Sequence, residues 1–118
     1  MEKEIKFTLK LDENYLPEKI EWTATEDKGL EKDVVKALMI SVWDDKEKLA
    51  KKVDLWTKDM YVEDMKMMYF QTFMTMADGF ERATGESLHA KEIREFAEKC
   101  RNVFLRNGRG HVCSRFAE

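Results

Sequence analysis

An α+β fold is predicted for this sequence: a four-stranded antiparallel sheet followed by two C-terminal helices packed on one face of it. Two observations carry that prediction. Through about residue 56 the apolar residues recur in short blocks of strand length, the first two of them alternating with period two. From about residue 61 the apolar residues fall at helical spacing instead. Strands first and helices afterwards is the order of an α+β layer rather than of an alternating α/β sheet.

The first strand is read from Ile5, Phe7, Leu9 and Leu11 on one side and Lys6, Thr8 and Lys10 on the other, one dry face and one wet. Asp12-Glu13-Asn14 supplies turn formers, and Pro17 interrupts the ladder. Alternation resumes with Ile20, Trp22 and Ala24 against Lys19, Glu21 and Thr23, so the second strand returns antiparallel. The charged stretch from Thr25 to Lys36, with Gly29, reads as a loop. ALMISVWD, from Ala37 to Asp44, is apolar on both parities, the pattern of a central strand covered on two sides. A polar turn, Asp44-Asp45-Lys46-Glu47, leads to the fourth strand, LAKKVDLW, where Lys51 suits an edge.

In the first helix Met65, Tyr69, Thr72, Met76, Phe80 and Ala83 form a stripe, with Thr57 or Asp59 as cap and Gly85 as stop. Glu63 and Asp64 place negative charge where the helix dipole favours it. Ser87 opens the second helix, which carries Ile93, Phe96, Ala97, Cys100, Val103 and Phe104 and ends at Asn107-Gly108. The expected organisation is one domain over residues 1–106, strands over about 4–56 and helices over about 61–106, with 107–118 a flexible tail.

The 118 residues carry a net charge of −3, with 43% hydrophobic and 38% charged residues. That balance suits one soluble domain and gives no long-range pull toward nucleic acid or anionic lipid. No apolar stretch is long enough to span a bilayer, and the acidic start, MEKE, is unlike a secretory signal, so a cytoplasmic location is expected. Cys100 and Cys113 read as thiols of a reducing compartment. Arg101, Arg106, Arg109 and Arg115 make the C-terminus locally basic; at this net charge a solvated tail is preferred to an RNA contact.

Catalytic chemistry has little to stand on. His89 and His111 are far apart and belong to no metal-spaced set. Asp12-Glu13 and Asp44-Asp45 are carboxylate pairs inside turn signals. No phosphate-cradling glycine motif opens a helix. The expectation is therefore a non-enzyme without catalytic, cofactor or metal residues.

A surplus of apolar surface points to protein binding instead. Six of the eight methionines lie between Met60 and Met76, and Met67, Phe70, Met74 and Ala77 form a second row beside the stripe. A helix on one sheet needs one apolar side, and methionine adapts to varied partners. Intramolecular packing is the ordinary use of such residues; a homo-oligomer interface comes next, and a client groove third. Trp56, Met60, Met67, Phe70 and Met74 are the candidate interaction residues. A competing possibility is a small-ligand pocket between sheet and helix, lined by Trp22, Trp43 and Tyr69 with Thr23, Ser41 and Thr72 as its polar groups.

Several segments, LDEN…PEKIEW (Leu11–Trp22), SVWD (Ser41–Asp44), DLWTKDM (Asp54–Met60) and MADGFERAT (Met76–Thr84), resemble the gliding motility protein GldC family of Bacteroidetes, over roughly residues 4–85. The resemblance implies a cytoplasmic, non-enzymatic accessory of the gliding machinery, linked to type IX secretion, with other gliding or secretion proteins as partners. It carries over no active-site residues. The order of elements is also similar to that of SecB export chaperones, which bind unfolded clients as homotetramers; that second likeness is one of topology.

Overall fold

The structure, a computed structural model, describes residues 1–26, 29–104 and 111–113. Five strands precede two helices: β1 (Ile5–Leu11), β2 (Pro17–Glu26), β3 (Gly29–Val35), β4 (Ala37–Asp44), β5 (Leu49–Trp56), α1 (Val62–Thr84) and α2 (Ser87–Phe104). The α+β class and the strands-before-helices order are as the sequence predicts. The single four-stranded sheet is not. The strands form a three-stranded antiparallel sheet, β1-β2-β3, and a separate antiparallel pair, β4-β5.

Two causes account for the difference. The charged segment expected as a loop contains β3, held by its ladder to β2 from Ile20↔Val35 to Glu26↔Gly29. Backbone hydrogen bonds stabilise such a strand whatever its side chains, so its charge hid it. In addition, only Lys36 separates β3 from β4. A two-residue loop is the shortest common hairpin, so the chain cannot fold β4 back onto β3 and passes into a second sheet. The exit of β5 is tied to that crossing. The Thr57 N–H donates to the Lys36 carbonyl at 2.8 Å, and the Lys58 N–H to the Pro17 carbonyl at 3.0 Å.

The described residues of Met1–Met60, with Cys113, form one compact unit, and those of Tyr61–Val112 a second. In the first, Ile20, Ala24, Leu38 and Met60 are buried. In the second, the buried apolar residues are Ala77, Ala90 and Ala97, small side chains that let α1 and α2 approach closely. Phe73 sits between Tyr69 and Phe96, with ring centroids 6.1 and 5.9 Å away. Arg94 of α2 reaches back to Asp78 (2.7 Å) and Glu81 (2.8 Å) of α1.

Gly85 ends α1 as expected, at φ 75° with its N–H on the Glu81 carbonyl. The start of α1 differs. Tyr61 is the N-cap residue and makes no side-chain capping bond. Thr57 and Asp59 bond to each other instead, at 2.6 Å. The His111 carbonyl accepts the Val62 N–H at 2.7 Å, and Val112 bridges to Tyr61. A distant backbone group thus does the work of a cap. The expected tail, 107–118, and the helix stop at Asn107-Gly108 otherwise lie outside the described residues.

Candidate protein-interaction surfaces

The strand unit carries a groove of about 690 Å³ beside the β1–β2 hairpin, lined mainly by apolar groups, among them Leu9, Leu11, Leu16, Pro17, Leu55 and Trp56. Asp12 builds the hairpin end. Its carboxylate accepts the N–H groups of Asn14 (2.8 Å) and Leu16 (3.0 Å) and the Lys58 ammonium (3.0 Å). The Leu16 N–H, then Lys58, hold its carboxyl below the usual aspartate range, and Asp12 in turn raises Lys58. Glu18 lies 3.5 Å from the same ammonium, so Lys58, the one cation among the described lining residues, is neutralised within the unit. What the groove offers is apolar surface. Tyr15, at its lip, holds φ 63° and is well exposed.

Both sheets leave apolar side chains open. All of β1 is exposed, including the row expected to be its dry face. Phe7 stacks on Trp22 at 6.4 Å, yet keeps 41% of its surface, and Ile5 keeps 67%. Burial falls on Ile20 and Ala24, whose strand lies between two others, while β1 is the outer strand. The two-sided cover expected for β4 is also absent. Leu38 is buried near its start, but Val42 and Trp43 (62%) are exposed near its end. The turn that follows is polar as expected: Asp44 accepts the Lys46 and Glu47 N–H groups and pairs with Lys51 at 2.8 Å.

The helical unit distributes its apolar residues on more than one side. Phe70 lies under the Arg101 guanidinium, 5.6 Å from the ring centroid, and Ala77 is buried. Part of the second row therefore serves the contact with α2. Met67 and Met74 are half-buried, and Met76 and Phe96 are exposed.

A family model described as gliding motility-associated protein GldC-like matches residues 17–105, from the start of β2 through the end of α2. The chain belongs to the GldC-like family. This membership agrees with the resemblance carried by the quoted segments and extends it past Glu86 across α2. No curated protein and no solved structure matches the chain.

On this GldC-like chain the five candidate interaction residues are divided between the two units. Trp56 lines the groove of the strand unit. Met60 is buried in the same unit, its N–H on the Thr57 carbonyl and its own carbonyl taking the Cys113 N–H at 2.7 Å. Met67, Phe70 and Met74 belong to α1. None of Trp22, Trp43 and Tyr69, the residues of the expected small-ligand pocket, lines the groove of the strand unit. Sequence reasoning missed Leu9, Leu11, Tyr15 and Leu16 as groove residues; the DENYLP turn was the available signal. His89 stands exposed in the first turn of α2, 3.5 Å from Glu86. Among the described residues no three His, Cys, Asp or Glu side chains group as a metal site. Among the described residues no helix is long and apolar enough to cross a membrane.

Proposed function

We propose that this protein is a non-enzymatic, cytoplasmic accessory of the gliding motility and type IX secretion apparatus, and that it acts by holding another protein component of that apparatus against apolar surface. The observation that carries this reading is the amount of apolar side chain left open beside a thin core. Among the described residues, Ile20 is the one large side chain that is fully buried, while Phe7, Trp43, Met76 and Phe96 are exposed. Apolar patches of that kind mark interaction surfaces.

The test is co-purification of the full chain with gliding and secretion components, against Met67→Glu and Met74→Glu. Each side chain is half-buried, so each variant is expected to melt within a few degrees of the parent and to lose the partner. Unchanged capture by both folded variants overturns the reading for α1. The groove favours a second reading, a SecB-like chaperone that holds apolar segments of unfolded clients. Leu55→Lys places a charge in the groove lining and would then abolish suppression of client aggregation; a variant as protective as the parent refutes that reading.

A further inference from the structure

We propose that the outer edge of β1 is a self-association site, at which a second copy of this chain adds its own β1 antiparallel, in a register centred on Phe7. Among the described residues β1 has a strand on one side only. The Thr25 N–H donates to the Glu4 carbonyl at 3.1 Å, so the backbone groups of Glu4 face β2. By the alternation of an antiparallel ladder, Lys6, Thr8 and Lys10 face β2 as well, and the N–H and C=O groups of Ile5, Phe7 and Leu9 face the open edge. The same three residues carry the exposed apolar row. Backbone and side chains together therefore form a template for another strand.

The charges choose the register. Matching outward backbone groups and faces requires odd positions opposite odd positions. Centring on Lys6 sets Lys6 against its own copy, and centring on Thr8 sets Lys6 against Lys10 twice; like charges directly opposite are destabilising. Centring on Leu9 carries Ile5 onto Glu13, in the turn beyond the strand, and centring on Ile5 carries Phe7 onto Lys3, ahead of it. Centring on Phe7 stays within Glu4–Lys10. It places Phe7 on Phe7, Ile5 on Leu9, Lys6 on Thr8 and Glu4 on Lys10, and the two-fold axis repeats each unlike pair. The present contact of Glu4 with Lys6, at 3.6 Å and well exposed, is weak competition for that pairing. Edge lysines that guard against indiscriminate pairing here admit one self-complementary arrangement. This site is independent of what α1 holds.

Sedimentation equilibrium of the full chain from low to high micromolar concentration tests it, with the fold of each variant checked by circular dichroism. The parent is expected to dimerise. Glu4→Lys and Lys10→Glu, both at exposed positions, should each weaken dimerisation by about tenfold, since two opposed pairs become repulsive. The double variant Glu4→Lys/Lys10→Glu restores it. Ile5→Pro removes an outward N–H and no bond to β2, and should also favour monomer. A monomer at every concentration overturns the proposal. So does a dimer indifferent to the single variants, or one the double variant fails to restore. None of these results bears on partner capture by α1, whose variants are separate.

Discussion

Asp12 shows how much one short carboxylate can organise. Its two backbone acceptances shape the β1–β2 turn, and its third bond reaches Lys58, 46 residues away. The first pair was legible in the sequence, because Asp-Glu-Asn is a turn signal. The third was not, because nothing local relates position 12 to position 58. Tyr15, in the same turn, sits at φ 63°, a conformation that costs a residue with a β-carbon about 1–2 kcal/mol. Asn tolerates that conformation far better. Tyr15→Asn should therefore stabilise the protein by about 0.5–1 kcal/mol in thermal or urea unfolding. A less stable variant would mean that the Tyr15 ring packs against something worth more than the backbone strain.

At the scale of elements, helices were easier to read than strands. α1 ends where Gly85 permits a left-handed turn, and a Cβ there would meet nothing within 4 Å. The cost of Gly85→Ala is then conformational alone, about 1–2 kcal/mol, with α1–α2 contacts unchanged. Near-neutral unfolding data for this variant would contradict the capping role. The start of α1 was misread because its cap is a carbonyl from His111, a partner no capping motif encodes. β3 was missed because a ladder does not require apolar side chains. The two-faced apolar run of β4 was visible, but whether its faces are covered depends on what packs above and below the sheet, and Val42 and Trp43 stay exposed.

For the whole molecule, acid sensitivity follows from paired carboxylates. Lys51 lowers Asp44, Thr57 and then Lys36 lower Asp59, and Arg94 and then Ser87 lower Glu81, in addition to Asp12. A carboxyl whose folded value lies below its unfolded one contributes fully above the ordinary range and loses that contribution as pH falls through the folded value. The melting temperature should thus be level from neutrality down to about pH 5 and fall below it. Asp12→Asn should melt lower than the parent near neutrality and lose less on acidification. An equal acid loss in both proteins would remove Asp12 from this account. Each unit relies on these surface pairs beside few buried apolar residues, Ile20 alone among the large described ones being fully enclosed.

The fold class, the placing of strands before helices, the turn at Asp12, the stop at Gly85 and the GldC-like membership are all legible along the chain, because period, turn chemistry and motif are local properties. The split of the strands into two sheets, the burial of Met60 beside the exposure of Trp43, and the groove shared by Leu9, Leu11 and Trp56 emerge with long-range packing. Those outcomes depend on which segments become neighbours. Alternation states that a strand has an apolar face, and the neighbours alone settle whether that face is covered.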